Sequence, residues 1–173
     1  MIRKKSLIIS ASLALLVLSG CGRTVEERTD EAMESARDAF EMNHKQPNEN
    51  VDGLEFYKPV GWKADVQKQE HTFMISKRSQ TYVADYDVNA KQDSHAYYDL
   101  LMADTSKKVT QQETFAGSDA FGFVVVMEHG ENSVEVVTGA GPVQITAIVE
   151  RGNLVESTQR MMEISRSVQV NPH

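Results

Sequence analysis

Cysteine is almost absent from this 173-residue chain: Cys21 is the only one. An intramolecular disulfide is therefore excluded, and packing alone must hold the fold. Long apolar runs are missing too. The most apolar stretch, Leu7 to Leu18, has 12 residues, whereas a membrane-spanning helix needs roughly 20. The five histidines, His44, His71, His95, His129 and His173, fall in no His-x3-His or His-Glu-x-x-His spacing, so the common zinc arrangements have no sequence basis. No Gly-x-Ser-x-Gly nucleophile elbow is present, and Gly139-Ala-Gly-Pro142 lacks the lysine and the strand-loop-helix context of a phosphate cradle. It reads as a hairpin loop. Asp85, Asp87 and Asp93 approach a calcium-like cluster without the glycine-containing loop pattern, and read as a solvated strand face. His95 and Asp99, one helical turn apart, read as a surface ion pair. These residues lead us to expect no catalytic residue, no metal and no cofactor.

What is present begins at the N-terminus. Arg3, Lys4 and Lys5 precede the apolar run, and the small residues Ser19 and Gly20 follow it. This order is a secretory signal: positive, apolar, then small. Its ending, Leu18-Ser19-Gly20-Cys21, resembles the bacterial lipobox. The resemblance implies cleavage before Cys21 and a diacylglyceryl thioether on its sulfur. Two acyl chains on one residue give stable anchoring, where one is marginal. Cys21 is thus the expected lipid attachment site, and the expected location is extracytoplasmic, tethered to the cell membrane.

Loss of residues 1–20 removes three basic residues and no acidic one, leaving 15 basic and 25 acidic, a formal charge of −10. Such a chain lacks the basic charge that binds nucleic acid through phosphates. It also has no Lys/Arg cluster to lay it flat on an anionic membrane. The lipid is then the tether, with the protein body expected to stand off the surface.

The mature chain divides by composition. Residues 21–52 comprise the lipidated cysteine, an acidic helix and a linker; residues 53–170 form a single α+β domain. Thr24 with Glu27 three residues on has capping-box spacing, and Val25, Ala32, Met33, Ala36, Ala39 and Phe40 recur at helical intervals to Met42. Three readings of this helix are open: a stalk or loosely docked helix, which is favoured, a partner-binding helix, or an integral core helix. A turn-rich break follows at residues 43–53. Strands are then expected at 54–58, 72–77 and 81–88, the last two joined through Arg78-Ser79-Gln80, with Tyr82, Ala84, Tyr86 and Val88 on one face. A helix capped by Ser94 should fade near Lys107-Lys108. Four more strands, at 109–115, 120–128, 133–138 and 142–150, precede a closing helix at 154–167. Phe123 to Met127 is nearly continuous apolar sequence, which suits a central strand buried on both faces. Short connections make the sheet mostly antiparallel, with the two later helices as layers on its faces.

The run Gly53-Leu-Glu-Phe-Tyr-Lys-Pro-Val-Gly-Trp62 resembles the opening of PsbP-like domains, in which a short strand enters a Pro-x-Gly-Trp turn. The element order over residues 53–170 is similar as well. The resemblance implies an αβα sandwich used for binding, with no shared catalytic residues. Trp62 itself is expected to cap the core. The functional expectation is a membrane-anchored, non-enzymatic protein-binding or scaffold lipoprotein whose partner is another envelope protein. A small-ligand-binding lipoprotein and an envelope enzyme are the alternatives.

Overall fold

The computed structural model describes residues 24–42, 44–51, 53–67 and 70–170. The export signal, the Leu18–Cys21 motif with its lipid site, and His173 lie outside the described residues.

Helix α1 (Val25–Glu41) starts as its sequence dictates. The Glu27 amide donates to Thr24 Oγ1 at 3.1 Å and the Thr24 amide donates to Glu27 Oε2 at 2.8 Å, closing the capping box. The helix is neither a stalk nor loosely docked. Ala32, Met33, Ala36 and Phe40 are buried in the main hydrophobic core. Two alanines on this stripe let α1 approach closely along helix α3 (Leu154–Ser167). The pair runs parallel: Arg28 Nη1 donates to the Arg151 carbonyl at one end, and Arg166 Nε to the Phe40 carbonyl at the other. The seven acids line the solvent side, which is why their number says little about docking. Full burial of Phe40 and Met33 is worth about 1.5–3 kcal/mol each, enough to fix the helix.

Seven strands form one antiparallel sheet: β3 (Lys63–Gln67), β4 (Thr72–Lys77), β5 (Gln80–Tyr86), β6 (Val109–Ala116), β7 (Phe121–Glu128), β8 (Ser133–Ala140) and β9 (Val143–Glu150), in the order β3-β4-β5-β9-β8-β7-β6. A small second sheet of β1 (Glu49–Val51), β2 (Leu54–Phe56) and β10 (Gln169–Val170) has β2 in the middle. Its Phe56 stacks on Phe73 with ring centroids 4.7 Å apart, which joins the two sheets. The class is α+β, an antiparallel sheet with helices on both faces.

The two faces are covered unequally. α1 and α3 lie on one face, over Val124, Val126, Val134, Val136, Ile145 and neighbours. Helix α2 (Ala96–Ala103) lies on the other, its Tyr97, Tyr98, Leu101 and Met102 over Phe121, Phe123, Val125, Met127 and Val137. β7 is therefore buried on both sides, yet it is next to the edge strand rather than central. The central strand is β9, and its Ile148 is half exposed because α2 does not reach it. Tyr82, Ala84 and Tyr86 do share the buried face of β5, while Val88 lies beyond the strand.

Several elements depart from expectation: β1, β3 and β10 were not expected, and α2 is capped at His95, without a side-chain bond, rather than by Ser94. α2 ends at Ala103, short of Lys107 and Lys108. Asp104 takes hydrogen bonds from the Ser106 amide and hydroxyl, a local turn that competes with the helix. Lys107 and Lys108 pair instead with Glu135 and Glu128. Strand β3 had no counterpart in the sequence reading. Its Lys-Ala-Asp-Val-Gln pattern buries only Ala64 and Val66 in part, as befits an edge.

Candidate functional site: a charged groove beside Trp62

Pro59-Val60-Gly61-Trp62 is a turn closed by a Trp62 amide bond to the Pro59 carbonyl at 3.1 Å. Gly61 sits third in it with φ +80°, the left-handed geometry that a type II turn requires there. The turn delivers the Trp62 ring onto Tyr82 of β5, centroids 4.9 Å apart. Trp62 is buried in the main core, in line with core capping, and its edge also lines a groove.

The groove has a volume of about 580 Å³. One wall is the β4–β5 hairpin, where Arg78 and Ser79 form a two-residue turn with Arg78 at φ +55°. The opposite wall is the start of α3, with Asn153, Glu156 and Arg160. The end of β9, from Ile148 to Glu150, lies between them. Arg160 reaches over the Trp62 ring, its guanidinium carbon 5.2 Å from the centroid, and pairs with Glu156 one turn earlier. Burial opposes its charge, but the hydrogen bond to Glu156 and the neighbouring Tyr82 hydroxyl outweigh that and raise its pKa. The Tyr82 side chain is buried, and its hydroxyl makes no well-aligned hydrogen bond.

Lys77, Arg78 and Arg160 thus share with Glu150 and Glu156 the lining of a hollow that also presents Ser79, Gln80, Ser133 and Asn153. Ligand pockets of this size are commonly apolar; this one is charged with both signs and open. No histidine lines it. The groove can hold a polar, mixed-charge chain by hydrogen bonds and ion pairs.

The residues weighed in the sequence go elsewhere. His95 stacks on Phe121, centroids 3.7 Å apart, rather than pairing with Asp99. His44 Nε2 lies 3.1 Å from Arg166 Nη2; burial and that cation lower its pKa. His71 packs near Tyr86, and the His129 carbonyl accepts from Ser133 Oγ in the β7–β8 turn. Asp87 caps a turn through the Asn89 amide, Asp85 meets Gln144 at 3.4 Å, and no metal-holding group of side chains occurs among the described residues. Burial, helped by Asp85 and Asp87, pushes the Tyr97 hydroxyl up to about 12. Gly141 and Pro142 form a hairpin turn, with Gly139 and Ala140 inside β8. No helix among the described residues is long and apolar enough to cross a membrane.

Sequence reasoning singled out Trp62 but missed Arg160, Lys77 and Arg78, which come from elements far apart in the chain. Only the short Arg78-Ser79-Gln80 connection was legible; Arg78 at a left-handed position is not a residue type that two-residue hairpin turns favour.

No protein-family model and no curated protein matches the chain. Among solved structures it is similar to cyanobacterial PsbP (CyanoP) from Synechocystis sp. PCC 6803, with a TM-score of 0.45 and 9% identity, covering 75% of this chain and 92% of that one. No residue role is carried across that likeness.

Proposed function

We propose that this chain is an exported lipoprotein, tethered by diacylglyceryl-Cys21 to the outer face of a cell membrane, and that its folded part is a non-enzymatic binding module for another envelope protein. One observation carries the tether. Three basic residues, 12 apolar residues and Ser19-Gly20 lead directly to the only cysteine in the chain. A free exposed thiol outside the cell is a liability, and acylation removes it.

The groove supports the binding role. It offers charges of both signs and side-chain amides and hydroxyls, which suit a polypeptide segment with complementary charge better than an apolar solute. Solute presentation, the alternative, calls for an enclosed apolar pocket.

The test is crosslinking in intact cells that express the chain, with Arg78→Glu and, as a surface control, Asp93→Lys. An envelope protein should crosslink to wild type and control and be lost from Arg78→Glu. Crosslinked samples that contain only the protein itself would sink the binding-module reading.

A further inference from the structure

The folded body starts very close to the tether. Thr24 already caps α1, so Gly22 and Arg23 alone separate Cys21 from it. Three peptide steps span at most about 11 Å. Nor can α1 swing freely, because Arg28 is bonded to the Arg151 carbonyl and the stripe from Ala32 to Phe40 is buried. A lipid on Cys21 therefore keeps one particular end of the body near the bilayer.

Register identifies that end. The Arg151 amide donates to the Asn132 carbonyl, so the end of β9 lies beside the β7–β8 turn. β5 runs antiparallel to β9, which brings the Arg78-Ser79 turn to the same end. Lys63 pairs with Ser76, so the Pro59–Trp62 turn is there as well. The groove opens at this end. At the other lie the Gly117–Asp119 and Gly141–Pro142 turns and the 87–94 loop, held by Asp87 to Pro142 and Phe121 to Gln92 backbone bonds of 2.9 Å. Eight-residue strands separate the ends by about 26 Å.

The surfaces of the two ends differ accordingly. The tether end exposes Val25 and, at 91% exposure, Val60 at a turn tip whose Gly61 neighbours Lys77 Nζ; Arg78 and Arg151 are at the same end of the sheet. Glu26, Glu27, Glu131, Glu150 and Glu156 also lie here, so the attraction is confined to the hairpin and turn. The far end carries Asp85, Asp87, Asp93 and Asp119 against Lys91 and Arg166, the latter paired with Asp119, a net acidic set that an anionic membrane repels.

Resting on the lipid reading above, we propose that the tether end docks on the lipid surface. Val60 sits at headgroup level, Lys77 and Arg78 face lipid phosphates, and the groove opens along the membrane. This replaces a body that stands off the surface, and it places a groove-binding partner at the membrane rather than above it.

The test uses the full lipidated chain, reconstituted in vesicles that contain phosphatidylglycerol and a headgroup-labelled acceptor lipid. A donor dye is placed on Val60→Cys or on Asn89→Cys, both exposed positions. Energy transfer should be several-fold stronger from position 60. Equal transfer, or stronger transfer from position 89, on vesicle-bound protein overturns the orientation and leaves the lipid reading standing. Protein that does not stay with the vesicles overturns both.

Discussion

Phe40→Ala separates a packed α1 from a stalk. The Phe40 ring is 2% exposed, lies 5.5 Å from the Phe115 ring between centroids, and carries the Arg166 guanidinium over its face at 4.9 Å. Its Cδ2–Cε2 edge lies against Gly122, where an added Cβ would come within 2.5 Å of the ring. Phe→Ala in a closed core costs about 3–5 kcal/mol, whereas truncation on an undocked helix stays within about 0.5 kcal/mol. Gly122→Ala alone should cost about 1–3 kcal/mol by overpacking. With both changes the new methyl enters the space the ring has left, limited by the Gly139 carbonyl 3.3 Å away. The double variant should then be more stable than the sum of the two losses by about 1–3 kcal/mol. Urea unfolding of the mature Cys21→Ser chain, followed by Trp62 fluorescence and by helix content, measures all four corners. Additive losses, or a Phe40→Ala chain as stable as the parent, would refute the packing argument.

Two further perturbations address the groove and the outer layer. Gly61→Ala places a Cβ at φ +80° and should lower stability by about 1–2 kcal/mol, visible as a lower urea midpoint at unchanged slope; no loss would mean that the turn relaxes at no cost. Tyr97 should titrate near pH 12 while an unfolded tyrosine titrates at about 10. Its folded pKa is raised, so its contribution is fully present below about pH 10 and falls as pH rises toward 12. Phenolate absorbance of wild type and Tyr97→Phe, read with stability over pH 9–12, checks this, and the variant should lose the upper titration step.

Periodicity made most of the architecture legible before any coordinates. The Tyr82-Ala84-Tyr86 alternation and the closing helix read correctly, because each buries a whole face; the apolar 123–127 run read correctly as buried on both faces but not as central, since burial by two layers does not fix a strand's place in the sheet. The failures share a cause: tertiary neighbours that composition does not reveal. α1 looked like a stalk because its acids outnumber its apolar residues, yet four residues at helical spacing suffice when two are alanines and a helix lies alongside. The overlooked cue was Gly122, a glycine inside an apolar strand, which marks close approach by another group. β3 escaped notice because an edge strand needs only two half-buried residues. The groove was invisible for a topological reason: Trp62, Arg78 and Arg160 meet only when β4–β5 and α3 share one end of the sheet.

Cys21 ties the groove and its proposed orientation to a membrane. The direct measurement is fractionation of cells that express wild type or Cys21→Ser, with a high-salt wash and a melting curve of each protein. Wild type should remain in the membrane fraction, and Cys21→Ser should be released with its melting temperature unchanged, since the swap is nearly isosteric and precedes α1 in sequence. Cys21→Ser protein that stays with washed membranes would contradict the central claim.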